Sequence, residues 1–159
     1  MAGVDHVIAL GVADEHKLGV LGYSYGGYLS AWTVTQTRRF KAASVGAGIT
    51  NLVSFAGTTA VGVIMPTYFG DGFFDDLELL QKRSPIYHVR NAATPTLIQH
   101  GDKDVICPIT QGYELHYALK RQGCVTEMVV YPGATHNPGA FRRLDMTRRN
   151  LAWMEKYVK

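Results

Sequence analysis

The chain has 159 residues, of which 47% are hydrophobic and 18% charged, and its formal net charge is +3. These values predict one globular domain with a substantial core, and they exclude a disordered or a coiled-coil protein. Lysine and arginine are dispersed as short doublets, so the charge pattern predicts no nucleic-acid partner.

The first elements of the chain lead to a serine motif. Residues 3–11 have apolar side chains at helical spacing, and residues 18–23 form a short apolar run that predicts a buried strand. The sequence Gly-Tyr-Ser-Tyr-Gly follows at 22–26, and a helical pattern extends from 28 to 38. A strand, a sharp turn and a helix are the context of a nucleophile elbow.

The elbow interpretation makes two demands on this segment. We expect Gly22 and Gly26 to be required, because so tight a turn leaves no room for side chains two residues either side of the serine. Ser24 would then lie at a helix N-terminus, where free N–H groups favour negative charge. The alternative is that Ser24 only caps the helix.

The middle of the chain is irregular and rich in aromatic residues. Residues 41–48 predict a strand of small side chains, and residues 76–82 a short helix. The aromatic segment between them, which includes Phe73 and Phe74, forms either part of the core or the wall of an apolar substrate pocket. The candidate pocket residues are Tyr23, Phe55, Met65, Tyr68 and Phe69.

The last third of the chain alternates strands with helices. Strands are predicted at 96–100 and 126–131, and a helix at 108–122. A loop at 132–136 leads into a final amphipathic helix. The whole pattern predicts an α/β fold with a parallel sheet of about four strands and helices on both faces.

Three reactive side-chain types follow strand ends in this prediction. Ser24, the pair Asp102 and Asp104, and His136 each come directly after a predicted strand, and ligands bind beyond the carboxyl ends of parallel strands. A serine nucleophile needs a base, and that base needs a carboxylate. Either aspartate could be that carboxylate or a turn residue, and spacing does not decide between them. A metal site at His100, Asp102 and Asp104 matches no strong ligand spacing, so we expect no metal or other cofactor.

The cysteine content and the N-terminus suggest a compartment. Cys107 and Cys124 are too few for a disulfide framework, and we expect both to be reduced thiols. No apolar stretch reaches membrane-spanning length, and the first residues lack a signal-peptide pattern. We therefore expect a cytoplasmic protein that does not bind membranes.

Segments 22–28 and 100–108 and the loop around His136 resemble the catalytic domain of the prolyl oligopeptidase family of serine peptidases, which has an α/β-hydrolase fold. The resemblance extends over essentially the whole chain. It implies that Ser24 is the nucleophile, that Asp104 is the acid because it holds the second aspartate position of the family pattern, and that His136 is the base. It also implies that the Tyr25 backbone N–H is an oxyanion donor. Asn137 and Pro138 depart from the family pattern, which often has glycine after the base.

The same resemblance implies that residues 1–159 are a single, partial α/β-hydrolase domain that lacks the N-terminal strands. The strand at 18–23 would then be an uncovered apolar edge, which predicts a homodimer or higher homo-oligomer. The loop that supplies a second oxyanion donor would also be missing, and such a loss costs about 10²–10³ in rate.

Because esters have better leaving groups than amides, the sequence favours a carboxylesterase that acts on short-chain esters through an acyl-enzyme. Two alternatives stay open. One is a peptidase of the prolyl oligopeptidase type, and the other is a non-catalytic truncated hydrolase that serves as an interaction module.

Overall fold

A computed structural model describes residues 1–72 and 75–159. Its four strands form one parallel sheet in the order β1-β2-β3-β4. The strands are β1 (Gly19–Tyr23), β2 (Ala42–Gly46), β3 (Thr96–Gly101) and β4 (Thr126–Tyr131). This arrangement confirms the predicted parallel sheet. Phe73 and Phe74, which belong to the aromatic segment, lie outside the described residues.

Seven α-helices are found in the described part of the chain. They are α1 (Ala2–Ala9), α2 (Tyr25–Gln36), α3 (Leu52–Thr58), α4 (Met65–Phe69), α5 (Leu77–Lys82), α6 (Thr110–Arg121) and α7 (Ala140–Tyr157). Two 3-10 helices cover Gly62–Ile64 and Pro85–Asn91. No helix among the described residues combines the length and the apolar character that a membrane span requires.

The helix after the serine begins three residues earlier than the helical pattern predicts. Its first turn contains Gly26 and Gly27, and glycine weakens helical preference, so the pattern becomes visible only at Tyr28. In the structure, α2 begins at Tyr25, directly after Ser24. The serine is therefore joined to the helix with no intervening loop.

Helices cover both faces of the sheet. Ile98 packs with Leu115 of α6 and Ala31 of α2, whereas the preceding residue of β3, Leu97, packs with Trp153 of α7. Successive strand residues point to opposite faces, so α2 and α6 lie on one face and α7 on the other. Strands β2 and β3 are buried throughout, as expected for the inner strands of a parallel sheet. All four strands end at the same rim.

Strand β1 forms one edge of the described sheet, where β2 is its hydrogen-bonding partner. Leu21 is 57% exposed, and an open hollow beside it is bordered by Met154 and Val158. An exposed apolar edge strand is a site where another chain can pair. The predicted homo-oligomer stays a prediction.

We expect sedimentation velocity at about 20 μM to show a dimer or a larger assembly, because paired edges bury Leu21. Leu21→Lys should shift the protein to the monomer, since lysine on an edge strand opposes pairing. Leu77→Lys, at a similarly exposed leucine on α5, is the matched control and should leave the assembly unchanged. A wild-type monomer at this concentration would contradict the prediction.

Candidate active site

Ser24 lies at a strained turn between β1 and α2. Its backbone has φ 59° and ψ −119°, a conformation that non-glycine residues rarely adopt. The Ser24 N–H donates to the Gly46 carbonyl at 2.9 Å, and the Ser24 carbonyl accepts from the Tyr28 N–H at 3.0 Å. These two hydrogen bonds fix the sharp turn at the rim of the sheet, as a nucleophile elbow requires.

The sequence predicts that neither Gly22 nor Gly26 can carry a side chain, and the structure supports this for Gly22 only. A Cβ atom on Gly22 would lie 2.2 Å from the Gly26 carbonyl oxygen, so glycine is required there. A Cβ atom on Gly26 would meet nothing within 4 Å, so the prediction that Gly26 must lack a side chain is wrong. The second constraint falls on Gly27, where a Cβ atom would lie 2.5 Å from the Gly46 carbonyl oxygen. Gly27 therefore lets α2 approach β2 closely.

Three side chains from different loops meet at this rim. His136 Nε2 lies 2.9 Å from Ser24 Oγ, and His136 Nδ1 lies 2.8 Å from Asp104 Oδ2. Because a carboxylate can only accept, Nδ1 donates its proton to Asp104. Nε2 is then left to accept the Ser24 hydroxyl proton, which is the arrangement that activates a serine.

The structure separates the two aspartates that the sequence left open. The Asp104 side chain is fully buried, and its Oδ1 accepts from the N–H groups of Ile106 at 3.0 Å and Cys107 at 2.9 Å. Asp102 is exposed, and its Oδ1 accepts from the Gly133 N–H at 2.7 Å. Asp104 thus orients His136, whereas Asp102 ties the loop after β3 to the loop after β4.

An apolar hollow of about 170 Å³ opens beside Ser24. Four of the five predicted pocket residues line it: Phe55, Met65, Tyr68 and Phe69. Residues that the sequence did not single out complete the wall: Tyr25, Tyr28, Ile49, Leu52, Val61, Ile64, Ile106 and Cys107. The described lining contains no charged side chain, so the hollow suits an apolar group.

Tyr23, the fifth predicted pocket residue, does not line this hollow. Its ring lies 5.4 Å from the His136 imidazole, centroid to centroid, and its hydroxyl donates to the His136 carbonyl at 2.8 Å. The prediction that Tyr23 lines this pocket is wrong, because its ring turns from β1 toward the loop after β4.

Comparison with known proteins identifies the family of this site. The sequence profile of the family described as the prolyl oligopeptidase family matches residues 1–159, which is the whole chain. The chain belongs to the prolyl oligopeptidase family. The peptidase YuxL of Bacillus subtilis is 43% identical over 125 residues, which are 78% of this chain and 19% of that protein. An acylamino-acid-releasing enzyme of Arabidopsis thaliana is 31% identical over 169 residues, covering 100% of this chain and 22% of that enzyme.

Solved structures agree with this family membership. The acylaminoacyl peptidase of Pyrococcus horikoshii superposes with a TM-score of 0.91 at 26% identity over 99% of this chain and 27% of that one. A puromycin-hydrolyzing peptidase of Mycobacterium tuberculosis gives a TM-score of 0.90 at 27% identity, over 99% and 24% of the two chains. The fold is therefore that of the α/β-hydrolases, and the chain spans about a fifth to a quarter of the length of these relatives.

In this member of the prolyl oligopeptidase family, His100 supports the acid loop from inside the core. It is buried, and its Nε2 donates to the Cys107 carbonyl at 2.7 Å. Burial lowers the pKa of His100, so the ring stays neutral at pH 7. Among the described residues, no group of three or more His, Cys, Asp and Glu side chains is placed to hold a metal ion.

Cys107 lies next to the nucleophile in the wall of the hollow. Both cysteines are free thiols. Burial, and after it the charge of Asp104, raises the pKa of Cys107 to about 12. Because a thiolate is the nucleophilic form of cysteine, Cys107 stays unreactive at neutral pH and leaves nucleophilic attack to Ser24.

We expect Gly22→Ala to destabilise the protein by about 2–3 kcal/mol, because its Cβ atom would overlap the Gly26 carbonyl oxygen. Gly26→Ala is the matched control. Its Cβ atom meets open space, so its stability should stay within about 1 kcal/mol of the wild type. Urea unfolding followed by circular dichroism measures both changes. Equal losses at the two positions would contradict this assignment of the turn.

Proposed function

We propose that this chain carries the catalytic site of a serine peptidase, which cleaves an amide bond through an acyl-enzyme and binds an apolar group in the hollow beside Ser24. The hydrogen-bonded chain of Ser24, His136 and Asp104 carries the proposal, since these distances suit proton transfer from the hydroxyl. Relatives named for acylaminoacyl substrates support the peptidase alternative over the carboxylesterase that the sequence favours.

The reaction begins with attack of Ser24 Oγ on a substrate carbonyl carbon. His136 Nε2 takes the hydroxyl proton as the new C–O bond forms, and Asp104 stabilises the resulting imidazolium. The carbonyl oxygen becomes an oxyanion. The same imidazolium then donates its proton to the leaving amine as the C–N bond breaks, which leaves an acyl group on Ser24. Water repeats the sequence, releases the acid and restores the serine.

The N-terminus of α2 supports stabilisation of the oxyanion. Tyr25 is the first residue of this helix, so its N–H lies among the unpaired donors of the first turn. The helix dipole adds positive potential at the same point. We assign the Tyr25 N–H as one oxyanion donor, in agreement with the resemblance noted above.

The apolar hollow supports a preference for an apolar residue at the cleaved bond. Aromatic and aliphatic side chains surround it, and a cationic or anionic side chain placed there would lose its water without gaining a partner among the described lining residues. We expect one apolar side chain of the substrate to fill it. Substrates with lysine or glutamate at this position should be poor.

Matched substrates test this function against its two competitors. N-acetyl-phenylalanine p-nitroanilide and N-acetyl-lysine p-nitroanilide differ only at the residue that would enter the hollow, and p-nitrophenyl acetate is an activated ester. We expect a fluorophosphonate to label the wild type, and the wild type to release p-nitroaniline faster from the phenylalanine substrate than from the lysine substrate. Ser24→Ala should show neither labelling nor release. Hydrolysis of the ester without either anilide would favour the carboxylesterase. A wild type that the fluorophosphonate does not label would favour the non-catalytic module.

A further inference from the structure

The loop that carries His136 is held mainly by side chains. Within the described part of the chain, no main-chain hydrogen bond joins residues 135–138 to another backbone group. Arg142 donates to the carbonyls of Pro132 at 2.9 Å and Pro138 at 3.3 Å, which brings the two ends of the loop together. Between these ends, the His136 carbonyl accepts the Tyr23 hydroxyl proton at 2.8 Å.

Tyr23 contacts both parts of His136. Its ring packs on the imidazole with an interplanar angle of 47°, and its hydroxyl binds the main chain of the same residue. Tyr23 is also the last residue of β1 and the direct neighbour of Ser24. One side chain thus links the strand end that carries the nucleophile to the loop that carries the base.

We propose that Tyr23 is a positioning residue, whose hydroxyl fixes the main chain at His136 so that the imidazole stays aligned between Ser24 Oγ and Asp104 Oδ2 throughout the proton transfers. This inference rests on the proposed hydrolytic function. It gives Tyr23 no contact with the substrate.

Alignment of the base matters because His136 must serve twice, first as acceptor and then as donor. A displacement of about 1 Å in a catalytic group can cost about 10²-fold in rate. A loop without main-chain hydrogen bonds at its centre resists such a displacement only through its side-chain contacts. Asp104 and Ser24 contact the imidazole, whereas the Tyr23 hydroxyl contacts the main chain of the same residue.

The Tyr23 hydroxyl keeps its proton well above neutral pH. Burial, and after it the charge of Asp104, raises the pKa of Tyr23 to about 12. Tyr23 therefore remains a donor to the His136 carbonyl from acidic to moderately alkaline pH.

Tyr23→Phe separates the hydroxyl from the ring, because phenylalanine retains the packing on His136. We expect kcat to fall about 10- to 50-fold while KM stays within about twofold, since the apolar hollow is untouched. Fluorophosphonate labelling should slow by a similar factor. Tyr117→Phe removes the hydroxyl of an exposed tyrosine on α6 and should match the wild type.

A double-mutant cycle with His136→Ala distinguishes positioning from a general structural role. If Tyr23 acts through the base, Tyr23→Phe has no further effect on the residual hydrolysis of p-nitrophenyl acetate once the imidazole is gone. Loss of the same factor in both backgrounds would overturn the inference. So would kinetics of Tyr23→Phe that equal those of the wild type.

A spectroscopic readout makes the test independent of turnover. The proton that His136 Nδ1 donates to Asp104 gives a downfield one-dimensional NMR signal, which we expect to broaden or disappear in Tyr23→Phe and to persist in Tyr117→Phe. An unchanged signal in Tyr23→Phe would overturn the inference. A wild type that shows this signal but is not labelled by the fluorophosphonate would reject the proposed function instead, and the signal of Tyr23→Phe would still decide the role of Tyr23.

Discussion

Replacement of Ser24 by alanine is expected to lower kcat by about 10⁴- to 10⁶-fold and to abolish fluorophosphonate labelling. The hydroxyl is the group that forms the covalent bond to the acyl carbon, and no neighbouring side chain can replace it. Cys107 lines the same hollow, but its raised pKa keeps it protonated. Release of p-nitroaniline from N-acetyl-phenylalanine p-nitroanilide measures the loss.

Two controls distinguish this effect from unfolding or general perturbation. Thr58→Ala removes a hydroxyl from an exposed residue of α3 and should retain full activity. The double variant Ser24→Ala/His136→Ala should be little slower than Ser24→Ala alone, because members of a triad act as one unit and their losses do not add. Substantial residual turnover by a folded Ser24→Ala protein would contradict the proposed nucleophile.

Asp104→Asn is expected to reduce kcat by about 10³- to 10⁴-fold. An asparagine amide offers an N–H toward His136 Nδ1, which favours the tautomer with the proton on Nε2. That tautomer has no lone pair on Nε2 to accept the Ser24 hydroxyl proton. The amide oxygen can still accept from the Ile106 and Cys107 N–H groups, so we expect the loop to keep its shape.

Asp102→Asn is the matched control for this prediction, since it makes the same chemical change two residues earlier. Its amide oxygen still accepts from the Gly133 N–H, and its side chain has no bond to His136. Activity should stay within about threefold of the wild type, because this substitution leaves the proton path intact. Equal losses in the two variants, measured with circular dichroism as a check on folding, would contradict the assignment of Asp104.

The sequence predicts on topological grounds that Ser24, one of the aspartates Asp102 and Asp104, and His136 lie at the same rim. Each residue follows a strand, and in a parallel sheet the ends of all strands share one rim. Asp104 could be chosen over Asp102 only through the family resemblance, since the burial that separates them depends on how the loop after β3 closes over its own backbone.

Features that depend on side-chain direction were predicted less well. Tyr23 ends a strand, and local pattern does not reveal that its ring turns toward the base instead of the apolar hollow. Gly26 and Gly27 are adjacent glycines in the first turn of α2, and only the approach of β2 shows which of them needs to lack a side chain. The choice between ester and amide was also beyond the motif, because one triad serves both reactions.

The order of the strands has a consequence for how catalytic competence is acquired. Neighbours in the sheet are neighbours in the chain, so we expect a refolding chain to pair its strands in chain order and to bring the imidazole to the rim last. In that order, a molecule that has paired only its first three strands has the serine and the acid in place but no base at the rim. Trp32 lies on α2, the helix after β1, and Trp153 lies on α7, the helix after β4. The two side chains therefore report on an early and a late step of this order. Recovery of turnover should therefore coincide with the burial of Trp153 and lag behind any fluorescence change at Trp32.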